Sequence, residues 1–246
     1  MEVFFAVAYL DRREWSGDTV SSSVRFGFEL CLRQLLQHET GDELAAHVAL
    51  CFKNPSARVQ ADVARFLPPQ LDPPTSFFID VLSNGRHQVS TLSDPESWYH
   101  RWESARVELF AISEFDKLGN SMDAERAYDR MIKFVVDQPV YDCYQNCNSI
   151  CAWPTRCSPS CGCCCPLFNG TNCIEAVVVA LAAGYGVVEW RAEESLGIPR
   201  RVSRGARLPS VLRDELLDSG IALKRRKVSV AFRSQQTRIP LLSMIR

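Results

Sequence analysis

The stretch 168–186, FNGTNCIEAVVVALAAGYG, decides how this chain is interpreted. Residues 172–183 are apolar on nearly every side, and Gly184 and Gly186 follow, as glycines do at the ends of helices. A helix without a polar face lies in the interior of a fold. The stretch therefore predicts a central buried helix whose first turn contains Cys173.

Cys173 is the first candidate for chemistry. The N-terminus of a helix has unpaired N–H groups and a positive partial charge, which favour a thiolate over a thiol. The thiolate is the nucleophilic form of cysteine, and the same N–H groups stabilise an oxyanion. Two interpretations follow from this position: Cys173 is a nucleophile, or it is a small buried apolar residue.

A cysteine nucleophile needs a base, and the chain has four histidines. His38 and His100 lie in surroundings typical of a surface, whereas His47 opens the apolar strand predicted at 47–52. Asp80 lies inside the apolar strand predicted at 76–82. Its carboxylate either orients a histidine or faces solvent on an alternating strand.

The remaining patterns predict one α+β domain over 1–246, with a cysteine-rich insert at about 141–168. Period-two and apolar runs predict further strands at 3–10, 87–91 and 107–112, and Asn84-Gly85 predicts a tight hairpin turn. Helical spacing predicts helices at 24–36, 59–66, 122–136 and 208–217. The strands are expected to form a sheet that packs on the central helix.

The composition limits the classes of protein to which this chain can belong. The chain has 246 residues, of which 46% are hydrophobic and 23% charged, so it is not a disordered chain. A net charge of −1 predicts no nucleic-acid partner, and the basic run 224–227 leads into an alternating strand at 228–232. No apolar run reaches the ~18 residues of a transmembrane helix, and the start lacks the basic residues of a secretory signal. The eleven cysteines are therefore expected to be mostly reduced, in a cytoplasmic compartment.

The order of these motifs resembles a known family. A histidine on one strand, an acid on the next and Asn-Cys at the start of a buried helix are similar to the permuted branch of the papain-like NlpC superfamily. This branch includes bacterial lipid-associated amidases, the lecithin retinol acyltransferase group and several proteins of large DNA viruses. The similar segments are His47-Val48-Ala49-Leu50, Phe78-Ile79-Asp80-Val81, Val140-Tyr141-Asp142, Asn172-Cys173 with Val177 and Leu181, and Leu208-Pro209-Ser210.

The resemblance implies a circularly permuted papain-like fold with an antiparallel sheet. It implies Cys173 as nucleophile, His47 as base and Asp80 as the residue that orients the base, with His87 as the alternative third residue. The implied activity is that of a thiol hydrolase, of the cysteine peptidase or amidase type, or of an acyltransferase. Its substrate would be a peptide, an isopeptide or a lipid ester, and catalysis would require no cofactor. The implied location is the cytoplasm or a virus particle.

The insert carries a separate set of thiols. Zinc sites use closely spaced cysteines, and the spacing predicts a structural zinc site at Cys143, Cys147, Cys157 and Cys161. The alternatives are disulfides, if the protein leaves the cell, S-acylation of the run 163–165, and plain reduced thiols. A loop of this length with few large apolar side chains loses much entropy on ordering, which a metal or a cross-link would offset.

Two functions other than catalysis stay open. Because a fold does not guarantee activity, the chain could instead be a catalytically silent structural component of a larger assembly such as a virion. A zinc-stabilised interaction module, with the insert as its functional part, is the third hypothesis.

Overall fold

One antiparallel sheet organises the described part of the chain. The structure is a computed structural model and describes residues 1–11, 43–69, 74–81, 87–91, 106–139, 171–200 and 207–224. These ranges contain β1 (Glu2–Asp11), β2 (Glu43–Lys53), β3 (Ser76–Asp80), β4 (Gln88–Ser90), β5 (Arg106–Ile112) and β6 (Ala222–Leu223). The strands are arranged β4-β3-β2-β1-β5-β6, with every neighbouring pair antiparallel. The expected α+β class and antiparallel sheet are confirmed, whereas the permuted papain-like arrangement stays a prediction.

Four of the five helices in the described ranges follow predicted segments, with changes at their ends, whereas the helix Ala192–Leu196 was not predicted. They are α1 (Ala57–Val63), α2 (Ala124–Asp137), α3 (Cys173–Gly184), α4 (Ala192–Leu196) and α5 (Pro209–Asp218). The predicted helix 59–66 is α1 followed by one 3-10 turn, Ala64–Phe66. The side chain of Asp123 caps α2 by accepting hydrogen bonds from two backbone N–H groups of its first turn.

The helix α3 lies at the centre of the core, as its sequence predicts. Ten of its twelve residues are buried, and it packs against α2, α4 and β2. Within the described ranges no single helix is long and apolar enough to cross a membrane, although α3 and Glu189–Leu196 pass that test as a pair bent by 103°.

Close contact between α2 and α3 depends on a residue without a side chain. A Cβ atom added to Gly184 would lie 2.6 Å from the sulfur of Met122 and 3.0 Å from the Cβ of Ala127. The carbonyl of Gly184 also accepts a 2.8 Å hydrogen bond from the N–H of Asp123. The glycine therefore allows the end of α3 to approach the start of α2.

The two faces of β2 contribute to different clusters of buried side chains. Val48, Leu50 and Phe52 belong to the main core with α3, whereas Ala49 and Cys51 belong to a second cluster. The second cluster consists of Ala6, Ala8, Ala49, Cys51, Phe78 and Val107. This alternation is that of a strand with both faces covered.

Several predictions from sequence lie outside the described residues. They are the helix at 24–36, the turn at Asn84-Gly85, the cysteine-rich insert at 141–168 and the strand at 228–232. The assignment of 1–246 to one domain likewise stays a prediction.

Candidate active site

A bulge in β2 precedes the first site residue, His47. Ala8 of β1 pairs with His47, but Tyr9 pairs with Ala45, so Ala46 is an extra residue in β2. Bulges bend a strand and re-aim the side chains beside them, and they are common next to active sites. His47 is thus held by a rigid strand at a point where the regular pairing is interrupted.

Asp80 holds the ring of His47 from the neighbouring strand. The Nε2 atom of His47 lies 3.2 Å from Oδ1 of Asp80. Asp80 ends β3 and is 0% exposed, and His47 is only 6% exposed. A buried carboxylate needs hydrogen-bond donors, and the imidazole is one of them.

Ser90 of β4 supplies a second donor, and sequence reasoning missed it. Its hydroxyl donates to Oδ2 of Asp80, and Ser90 is fully buried. Ser90 pairs directly with Phe78, so it shares a sheet face with Phe78 and with Asp80, two residues further along β3. This contact depends on the register between β3 and β4, which the pattern of either strand alone does not contain.

Cys173 is the first residue of α3. Asn172 caps this helix: its side-chain oxygen accepts a 2.9 Å hydrogen bond from the N–H of Glu175, and its carbonyl accepts one from Ala176. The hydroxyl of Thr171 lies 3.4 Å from the carboxylate of Glu175. Cys173 itself is 3% exposed. These bonds define where the helix begins, and they place the sulfur at its positive end.

The electrostatics of His47 link it to both neighbours. Burial acts to lower the pKa of His47, but the charge of the Cys173 thiolate and hydrogen bonds with Asp80 and Cys173 outweigh it and raise the pKa to about 9. Because Nε2 of His47 faces Asp80, Nδ1 is the ring nitrogen that can exchange a proton with the sulfur of Cys173. This arrangement favours a thiolate paired with an imidazolium.

The structure therefore brings together Cys173, His47 and Asp80. His87, the alternative third residue, has its Nε2 atom 2.7 Å from the carbonyl oxygen of Pro139. Its backbone also exchanges two hydrogen bonds with the side chain of Gln138. Burial lowers the pKa of His87, and the bond to Pro139 partly opposes this. The ring of His87 thus bonds to the segment after α2, while Asp80 is the carboxylate that bonds to His47.

A second thiol lies close to the same carboxylate. Cys51 of β2 is 1% exposed, and like Cys173 it is a reduced thiol. Burial raises the pKa of Cys51 to about 12; the charge of Lys53 opposes this and that of Asp80 adds to it. Cys51 is therefore a protonated thiol near neutral pH.

The predicted zinc ligands Cys143, Cys147, Cys157 and Cys161 lie outside the described residues. Among the residues that are described, no group of three His, Cys, Asp or Glu side chains could hold a metal ion. The zinc site stays a prediction.

Comparison of this chain with protein-family models, with curated proteins and with solved structures finds no match. The family resemblance therefore rests on the motifs of the sequence alone.

Proposed function

We propose that this chain is a thiol hydrolase or acyltransferase that acts on an amide or ester bond. Cys173 is the nucleophile, His47 its base and Asp80 the residue that orients the base. One observation carries the proposal: a cysteine at the start of a buried helix shares a hydrogen bond with a buried histidine, and Nε2 of that histidine is held by a buried carboxylate. The chain order of these residues supports a circularly permuted papain-like fold.

The reaction would proceed in two halves. The Cys173 thiolate attacks the carbonyl carbon of the substrate, and the oxyanion that forms is stabilised by N–H groups of the first turn of α3. The His47 imidazolium gives its proton to the leaving amine or alcohol, and a thioester remains on Cys173. Water or a second acceptor then loses a proton to His47 and attacks the thioester, which releases the product and restores the thiolate.

Asp80 has two tasks in this scheme. By accepting a hydrogen bond from Nε2, Asp80 keeps His47 in the tautomer whose Nδ1 atom can take a proton from the Cys173 thiol. Its charge also stabilises the imidazolium, which is costly to bury without a partner. Peptides, isopeptides and lipid esters all present the required carbonyl, and none of these steps requires a cofactor.

Alkylation by iodoacetamide, mapped by mass spectrometry between pH 5 and 10, tests the reactive state of the cysteine directly. We expect Cys173 to react at about pH 6 at least ~10-fold faster than it does in the unfolded chain, because an ordinary thiol has a pKa near 8.5. Cys51 is the internal control and should stay unlabelled in the folded chain. Reaction of Cys173 only near or above about pH 8.5 would contradict the proposal.

The burial of the site favours a second candidate, a catalytically silent component of a larger assembly such as a virus particle. Cys173 and His47 expose 3% and 6% of their surface, whereas a substrate carbonyl must reach the sulfur. A peptidyl or lipid-like electrophile separates the two functions. An enzyme should be labelled at Cys173 by both small and large reagents, and a silent component by iodoacetamide alone.

A further inference from the structure

We propose that Ser90 is a positioning residue of this site, the fourth member of a hydrogen-bonded series that runs from Cys173 through His47 and Asp80. The inference rests on the proposed function, because positioning has a catalytic meaning only if Cys173 is the nucleophile. Its structural part, that the Ser90 hydroxyl controls the state of His47, can be tested by itself.

The two oxygens of Asp80 have different partners. Oδ1 faces Nε2 of His47, and Oδ2 accepts the hydroxyl of Ser90. The χ2 torsion of an aspartate is broad and roughly two-fold, so a single hydrogen bond does not fix the plane of its carboxylate. Two donors on opposite oxygens, from two different elements of the sheet, do fix it. Ser90 therefore aims the Oδ1 atom at the imidazole.

Burial makes the Ser90 hydroxyl hard to replace. Asp80 and Ser90 are both fully buried. Removal of the hydroxyl would leave Oδ2 as a buried charged acceptor without that donor, which is costly. The carboxylate would then turn toward another donor, and it would hold His47 less well. A fully buried strand position is usually apolar, so a serine here indicates that the hydroxyl is needed.

The chain contains a matched control for this contact. Ser195 of α4 is also fully buried, and its hydroxyl donates to Oδ2 of the buried Asp116 at 2.5 Å. Asp116 also accepts from the side chain and N–H of Asn120 and from the N–H of Leu118, so this second pair organises a turn. Ser195→Ala deletes the same kind of bond as Ser90→Ala, away from His47.

The experiment compares the wild-type chain with Ser90→Ala, Ser90→Thr and Ser195→Ala. The first readout is the titration of His47 by NMR, and the second is the rate of Cys173 alkylation at about pH 6. We expect Ser90→Ala to shift the midpoint of the His47 titration downward from about 9 and to slow alkylation by about tenfold, comparable to the effect of removing hydrogen bonds that orient metal ligands. Ser90→Thr keeps the hydroxyl and should restore both readouts, and Ser195→Ala should change neither.

The outcomes separate this inference from the proposed function. Absence of low-pH alkylation in the wild-type chain contradicts the proposed function, whatever the variants do. An unchanged His47 titration in Ser90→Ala, or an equal shift in Ser195→Ala, overturns the role of Ser90. If Ser90→Ala does not fold, Ser90→Cys has nearly the same volume and only a weak donor, and the same downward shift is expected of it.

Discussion

Cys173 and Cys51 are both reduced thiols and almost wholly buried, yet their electrostatic surroundings differ. Cys51 lies in the middle of β2, and burial raises its pKa to about 12. Cys173 begins α3 and shares a hydrogen bond with His47. Asp80 acts on both: its charge raises the pKa of Cys51 directly, whereas it supports the imidazolium beside Cys173. Because the two thiols are almost equally buried, we expect the partners of each thiol, and not its burial, to decide its protonation state.

Exchange of sulfur for oxygen should affect the two positions in opposite ways, and this is the largest effect we expect. Cys173→Ser should lower any hydrolysis by on the order of 10⁴-fold or more, because loss of a nucleophile removes its whole pathway. Its melting temperature should hardly change, since the substitution is nearly isosteric. Activity is measured on peptide, isopeptide and lipid-ester substrates, and stability by thermal unfolding.

Cys51→Ser is the matched variant. It should keep its activity but lose about 1–3 kcal/mol of stability, because a hydroxyl enters an apolar cluster. A strongly destabilised Cys173→Ser with unchanged hydrolysis would instead assign Cys173 to the core.

If His47 is the base of Cys173, as we propose, its removal should make Cys173 behave like an ordinary thiol. His47→Gln is expected to slow iodoacetamide alkylation of Cys173 at about pH 6 by roughly 100-fold, since a thiol with a pKa near 8.5 is then only about 0.3% thiolate. His87→Gln is the control, because the ring of His87 bonds to Pro139. Equal loss in both variants would show that the effect is not specific to His47.

The pH dependence of stability should separate the two cysteine environments. The pKa of His47 is raised from 6.5 to about 9. Its contribution to the free energy of unfolding is therefore complete below about pH 6.5 and is lost as the pH rises to about 9. The pKa of Cys51 is raised from 9.0 to about 12, so its contribution is lost between those values. Urea unfolding at each pH measures both windows. His47→Gln should flatten the first window and Cys51→Ala the second; identical curves for all three proteins would refute this assignment.

The smallest expected effect is that of a substitution at the other end of α3, which tests whether the reactivity of Cys173 is independent of how the helix packs. Gly184→Ala puts a methyl group against Met122 and Ala127 and should cost about 1–3 kcal/mol of stability. Gly184 ends α3, far along the helix from Cys173, so the pH profile of Cys173 alkylation should stay as in the wild type. Urea unfolding and alkylation of the same sample measure both quantities. A shifted profile would mean that the position of the whole helix controls the thiol.

Local patterns in the sequence were sufficient to predict α3, the strands β2 and β3, and the residues His47, Asp80 and Cys173 as candidates. Each depends on short-range information: an apolar helix, a strand period, a polar residue out of place. The bulge at Ala46 and the contact of Ser90 with Asp80 were not predicted. They depend on the register between strands, which one strand's pattern does not contain. The burial of Cys51 in a second cluster likewise requires knowledge of what covers the other face of the sheet.

The division of the site between sheet and helix has a consequence for the newly made chain. His47 and Asp80 lie on strands, and Cys173 follows after a long stretch of sequence on the helix that fills the core. During synthesis the two polar strand residues emerge first, and the thiol remains an ordinary one until α3 docks. If Cys173 is the proposed nucleophile, it becomes reactive only as tertiary structure is completed, and its labelling at low pH would then report the arrival of the native state.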